Sequence, residues 1–278
     1  MNSIKKMMLS GALGCLISGM AYADGSSPQP VKPYWQDIQV VAVNKEKPRS
    51  SFMSYADRET ALTSRFEKSP YYSLLNGTWK FFFVDSYKDL PQNITDPSVN
   101  TSSWDDITVP GNWEVQGHGV AIYTNHGYEF KPRNPQPPLL PEANPVGVYR
   151  RDIEIPANWD NRDIYLHIGG AKSGLYVYLN GKEVGYSEDS KNPAEFLINK
   201  YLQPGKNVLT LKIFRWSTGS YLECQDFWRM SGIERDVFLW SQPKASIQDF
   251  RVVSTLDDTY TNGIFKLAVD LKNHTQET

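Results

Sequence analysis

From Leu75 onward, apolar and polar residues alternate with a period of two, as in strands that bury one face. In Thr78–Val84 this sets Trp79, Phe81 and Phe83 on one side. Tyr149, Arg151, Ile153 and Ile155 alternate with Arg150, Asp152 and Glu154. Ile164, Leu166 and Ile168 alternate with Tyr165 and His167, and Leu175, Val177 and Leu179 with Tyr176 and Tyr178. Turn chemistry separates these runs: Asn76-Gly77, Asn180-Gly181 before the return through Lys182 to Tyr186, and Pro204-Gly205-Lys206-Asn207 before Val208 to Phe214. Ile233 to Trp240 closes the series. Short strands without a 3.6-residue apolar period predict an all-β antiparallel sandwich or jelly roll over residues 49–243. The exception is Tyr55 to Phe66, compatible with one or two helical turns capped by Asp57.

The flanks differ in pattern. Residues 24–48 are rich in Ser, Pro, Lys and Gln with one apolar patch, Ile38 to Val43, and read as an extended arm of the kind that docks late or not at all. Between Ser103 and Pro145 lies a long irregular region with Pro132, Pro135, Pro137, Pro138, Pro141 and Pro145, which cannot be a central strand. After Pro243, Ser246 to Ser254 and Ile264 to Leu271 read as two strands joined at Leu256 to Gly263. An immunoglobulin-type sandwich needs about seven strands and ~100 residues. Residues 244–278 are therefore expected to be the start of a truncated immunoglobulin-like sandwich, and the chain a piece of a longer protein.

Composition narrows the class. A chain of 278 residues, 40% hydrophobic and with net charge -2, is globular in type and carries no basic stripe for a nucleic acid. No apolar run in its body approaches the ~20 residues of a membrane span. At the N-terminus, Lys5 and Lys6 precede an apolar stretch from Met7 to Met20, and Ala21-Tyr22-Ala23 has the small-x-small form of a cleavage site. Residues 1–23 thus read as a signal peptide and the protein as exported, periplasmic or secreted. The alternative is a lipoprotein anchor at Cys15, although Ala12 stands where Leu is usual. Cleavage would leave Cys224 alone, with no partner for a disulfide. Asn93, Asn100 and Asn273 begin sequons that matter only in a glycosylating host.

Candidate chemistry concentrates in Arg215 to Val237, which holds two Trp, a Tyr, a Phe, three Arg and four carboxylates between two strand-like runs. By residue type alone Asp226 is a turn or salt-bridge carboxylate, paired with Arg229, or a ligand group. Trp216 and Trp228 are stacking platforms or, the preferred reading, buried braces for the loop. His118, His126 and His167 lack the spacing of a metal site or triad and are read as structural. Glu188 and Asp189 would point to opposite sides of a continuing strand, a poor arrangement for paired glycosidase carboxylates.

The segments Trp104-Asp105-Asp106-Ile107-Thr108-Val109-Pro110-Gly111-Asn112-Trp113-Glu114, Ile122-Tyr123-Thr124-Asn125, Asn144-Pro145-Val146-Gly147-Val148-Tyr149-Arg150-Arg151 and Asn180 to Ser190, followed by the dense stretch, fall in one order and spacing. In these, residues 70–278 resemble the N-terminal region of family 2 glycoside hydrolases, and the dense stretch is most similar to that of large β-galactosidases. The resemblance implies a galactose-binding-like jelly roll, an immunoglobulin-like sandwich and then a (β/α)8 barrel, absent here, that carries two catalytic glutamates. Such enzymes retain configuration, one carboxylate attacking the anomeric carbon and the other serving as acid, then base. The chain is then expected to be the N-terminal portion of a retaining β-galactosidase with no catalytic residue of its own.

By the same resemblance Asp226 binds the galactosyl 6-hydroxyl and a sodium ion completed by the barrel, and Asn125 touches the galactosyl ring. Sodium and magnesium belong to the full-length enzyme, the magnesium site lying outside this chain. The implied partner is a β-galactoside, and the full-length form is compatible with a homo-oligomer. The residue types suit these roles, since a carboxylate only accepts hydrogen bonds and an amide both donates and accepts. Thr218 and Cys224 stand where similar β-galactosidases usually carry Asp. The alternatives are a non-catalytic carbohydrate-binding module and a family 2 β-glucuronidase or β-mannosidase.

Overall fold

The computed structural model describes residues 32–131 and 134–275. The segment read as a signal peptide, Cys15 included, lies outside them. Two antiparallel sheets make the body. The larger runs β1 (Ala42–Val43), β11 (Lys182–Ser187), β10 (Gly174–Leu179), β13 (Lys206–Phe214), β7 (Val146–Glu154), β3 (Gly77–Val84), β4 (Asp105–Val109). The smaller runs β12 (Ala194–Leu197), β8 (Arg162–Ile168), β16 (Val237–Pro243), β2 (Tyr72–Leu74). The predicted inward sets meet between them: Trp79 and Phe81 from β3, Leu175, Val177 and Leu179 from β10, and Ile164, Leu166 and Ile168 from β8 all belong to one buried cluster. The jelly-roll sandwich is thus the fold that the alternation predicts. The β10–β11 turn places Asn180 and Gly181 at φ 53° and 78°, the left-handed backbone that an Asn-Gly hairpin requires.

The outer faces are covered as well, which local alternation does not predict. Trp35, Ile94, Trp104, Val146, Val148, Tyr176, Tyr186 and Phe214 form a second buried cluster on the far side of the larger sheet. Trp35 is stacked on Phe214 with ring centroids 5.1 Å apart, and β1 extends the sheet through Ala42↔Ser187 and Val43↔Tyr186. The described part of the arm is therefore docked, correcting the expectation of a loose lead-in: Trp35 is buried against the sheet and Tyr34 stacks on Tyr176 beside it. Arg150, expected to face water, is buried there and donates to the carbonyls of Ile94, Asp96 and Val99. Over the smaller sheet, Met53 joins Tyr165, Phe238 and Trp240. The nearby helix α1 (Arg58–Leu62) is capped by Asp57 accepting from the Thr60 N–H at 2.7 Å, as the sequence predicts.

After Pro243 the chain enters a long hairpin, β17 (Ala245–Leu256) with β18 (Gly263–Asn273), a few residues longer than its sequence pattern indicates. Ser50 N–H donates to Asp249 at 2.8 Å and Lys272 Nζ donates to Tyr165 Oη at 2.9 Å, tying the hairpin to the sandwich. Three further short pairings lie at one end of the sandwich: β6 (Ile122–Thr124) with β14 (Phe227–Arg229), and β15 (Gly232–Ile233) between β5 (Gly111–Asn112) and β9 (Ala171–Lys172). No helix among the described residues is long and apolar enough to cross a membrane.

Candidate sugar-binding site

The dense stretch leaves the end of β13 and is pinned at once. Arg215 is buried and its Nη2 donates to the carbonyls of Val120, at 3.0 Å, and Arg229, at 3.2 Å, so one guanidinium grips the approaches to both β6 and β14. Buried carboxylates balance it: Glu114 Oε1 lies 3.5 Å from Nη1, and Glu129 Oε2 lies 3.9 Å from Nη2. Glu129 also accepts from Trp216 Nε1 and faces Lys172 Nζ at 3.7 Å. Burial pushes the Glu114 carboxyl up and the Lys172 ammonium down from their ordinary values, the expected direction for charges withdrawn from water. Arg229 is turned inward to the carbonyls of Glu223 and Thr124.

The base of the loop has its own anchors. Asn144 donates through Nδ2 to Trp216 O at 2.8 Å and accepts from Trp216 N–H at 3.0 Å. Glu188 accepts from Gly219 N–H at 2.6 Å, Thr218 Oγ1 at 2.8 Å and Tyr186 Oη at 2.7 Å, with burial pushing its carboxyl up. Glu223 accepts from Ser190 N–H at 2.8 Å and Oγ at 2.7 Å. Cys224 Sγ lies 3.3 Å from Ser220 O and lines a small void with Glu129, Lys172 and Arg229.

On this base stands the β6–β14 ladder, with Phe227 opposite Thr124 and Trp228 opposite Tyr123. Asp226 immediately precedes β14 and Asn125 immediately follows β6, so both flank the same end of the ladder. Trp228 and Tyr123 are paired and share a face, and Asp226 is joined to that face through Tyr123. All four are exposed, Trp228 and Tyr123 by 54% and 56%, and their rings pack 5.5 Å apart. Tyr123 Oη donates to Asp226 Oδ1 at 3.0 Å, and the charge and hydrogen bond of Asp226 push the phenol up from its ordinary value. Asn125 Oδ1 pairs with His126 Nδ1 at 2.7 Å.

The two residues singled out in the sequence, far apart along the chain, are therefore brought together. Asp226 is hydrogen-bonded to Tyr123 and not to Arg229, because Arg229 points the opposite way off the β14 backbone. Trp216 is a buried brace as expected. Trp228 is not: it stands on the exposed face, where the register puts it beside Asp226. His167 bonds Glu195 at 2.8 Å and His118 packs against Phe81, and among the described residues no His, Cys, Asp and Glu gather in threes. Sequence reasoning missed Tyr123, whose signal was its position two residues before Asn125, on the same side of any strand. It also missed Glu114, Glu129 and Lys172, which in the sequence look like surface charges.

Residues 72–243 match glycosyl hydrolases family 2, sugar binding domain. The chain is 40% identical over 245 residues to a β-galactosidase of Priestia megaterium and 37% identical over 243 residues to one of Psychromonas ingrahamii, covering 87% of this chain in both cases. It spans 24% and 23% of the length of those relatives. Among solved structures, a β-glucuronidase from Ruminococcus gnavus matches with a TM-score of 0.55 at 22% identity over 72% of this chain and 33% of that one, a likeness of fold. With the sandwich, its end-on ladder and a family match over most of the folded body, the chain belongs to family 2 of the glycosyl hydrolases, through its sugar binding domain.

Proposed function

We propose that this chain is the N-terminal portion of a retaining β-galactosidase that hydrolyses terminal β-D-galactosides, and that it supplies part of the sugar pocket while the catalytic glutamates lie in the rest of the protein. The observation that carries this reading is the exposed cluster of Asp226, Tyr123 and Trp228, with Asn125 flanking the same end of the ladder. It combines aromatic surface for the apolar side of a sugar with an acceptor and a donor for its hydroxyls. The β-galactosidase relatives support the choice of sugar. So does the charge, because a 6-hydroxyl can donate to the Asp226 carboxylate whereas the carboxylate of a glucuronide would be repelled.

Asp226 keeps one carboxylate oxygen without a protein partner among the described residues, a suitable donor for a hard cation. The described residues hold no cluster that could complete such a site. Asp226 would be a ligand to the sodium ion, completed by the rest of the protein, and magnesium would bind elsewhere in the full-length protein. Export through the N-terminal 23 residues, to the periplasm or beyond, is part of the same proposal.

In the full-length protein, Asp226→Asn is expected to lower galactoside turnover by about ten- to a hundredfold, the worth of a hydrogen bond to a charged group. Its sodium dependence should weaken, with the fold unchanged by circular dichroism. Wild-type kinetics in that variant would overturn the role of Asp226. Residues 24–278 alone are expected not to hydrolyse a chromogenic β-galactoside, and turnover persisting through purification to homogeneity would overturn the assignment of catalysis to the rest of the protein.

A further inference from the structure

An exposed aspartate samples several rotamers, and each one not aimed at a ligand costs affinity. Asp226 is exposed and sits just outside a three-residue strand. What restrains it is one phenol. Tyr123 Oη reaches Asp226 Oδ1 at 3.0 Å, and a hydrogen bond to an ionised acceptor is among the stronger kinds. Tyr123 is itself restrained, its backbone paired with Trp228 in the ladder and its ring packed on the Trp228 indole at 5.5 Å. The β14 strand that carries Trp228 is held from below by Arg215 on the Arg229 carbonyl. A rigid chain of contacts thus runs from the buried charges to a single carboxylate oxygen.

We propose that Tyr123 is the positioning residue for Asp226: its phenol occupies Oδ1 and leaves Oδ2 as the one oxygen presented to the sugar. The proposal rests on the reading that Asp226 meets the galactosyl 6-hydroxyl. Under it, Tyr123 acts through Asp226 and not through the sugar ring. Its hydroxyl would matter only for ligands that have a 6-hydroxyl to offer.

The test measures binding, not turnover, in the full-length protein, by calorimetry with isopropyl β-D-thiogalactoside and with the thioglycoside of its 6-deoxy analogue. Tyr123→Phe keeps the ring on Trp228 and deletes only the phenolic oxygen. It is expected to weaken the thiogalactoside by about three- to tenfold, the range of one modest hydrogen bond, and to leave the 6-deoxy compound and the melting midpoint unchanged. In an Asp226→Asn background the same substitution is expected to add nothing. An equal loss for both ligands, or a full further loss in the Asp226→Asn background, would show that Tyr123 acts on its own, and would overturn the proposal. Wild-type binding in Tyr123→Phe alongside weakened binding in Asp226→Asn would remove the positioning role and leave the sugar reading standing. Unchanged binding in Asp226→Asn would remove both.

Discussion

The β6–β14 ladder and the β17–β18 hairpin are both two-stranded sheets outside the sandwich, and they hold their shape by different means. The ladder has three residues in each strand, the hairpin twelve and eleven. By hydrogen bonds alone the hairpin should be the firmer, yet any two-stranded sheet is marginal in water without something to pack on. The ladder has that support: Arg215 grips the carbonyls of Val120 and Arg229, and Glu114 and Glu129 hold the guanidinium in place. The hairpin's register puts Phe250, Val252, Leu267, Val269 and Leu271 on one face, and all of them are exposed. The short ladder is thus held from beneath by buried charges, whereas the hairpin is tied to the sandwich near its base, through Asp249, Phe250 and Lys272, and leaves most of this apolar face open.

The comparison breaks most completely at Arg215. Replacing it with Met leaves Glu114 without a cation in the interior and Glu129 with Lys172 alone, and removing one member of a buried charge network costs about 3–5 kcal/mol. Urea denaturation should register that loss, and adding Glu114→Gln should recover part of it, since the carboxylate left without a cation is then neutral. Gly147→Ala should rank next. A methyl at Gly147 would lie 2.5 Å from the ring of Trp113, a residue whose backbone N–H donates to Ser231 O beside the ladder. Overpacking of this kind costs about 1–3 kcal/mol.

Glu188, which anchors the base of the loop, gives a subtler break. Burial raises its carboxyl above the ordinary 4.5, so the folded state holds that proton more tightly than the unfolded chain does. Its stabilising contribution is complete below about 4.5 and is lost as pH rises through the folded value. Glu188→Gln does not titrate. Denaturation across roughly pH 4 to 7 should therefore show the difference between variant and wild type moving in favour of the variant as pH rises.

How far these features were legible depends on the range over which each is determined. The inward sets on β3, β8 and β10 were readable because a period of two is a local property of an extended chain. The burial of Val146, Val148 and Tyr176 was not, since their cover comes from Trp35 and Trp104, distant in sequence. Asp226 and Asn125 were reached through family resemblance; that they flank one end of the ladder that pairs Tyr123 with Trp228 was hidden, because the pairing joins residues 103 apart through strands too short to show a period. The expectation that Trp228 braces the loop failed for the same reason. Glu114, Glu129 and Lys172 could not be told from solvated charges, which in most proteins they would be.

The smallest expected effect tests the other half of the comparison. Phe265 is 67% exposed on the hairpin's apolar face, opposite Ser254 and next to Leu267 on that side. Phe265→Lys brings no like charge directly across the ladder, and a surface substitution away from packed features changes stability by about 0.5 kcal/mol or less. The same urea experiment used for Arg215→Met should thus find its midpoint nearly unmoved. A loss approaching that of Arg215→Met would mean that Phe265 is buried against something in solution. The hairpin would then be a supported sheet like the ladder, and the contrast between them would be one of which partner does the supporting.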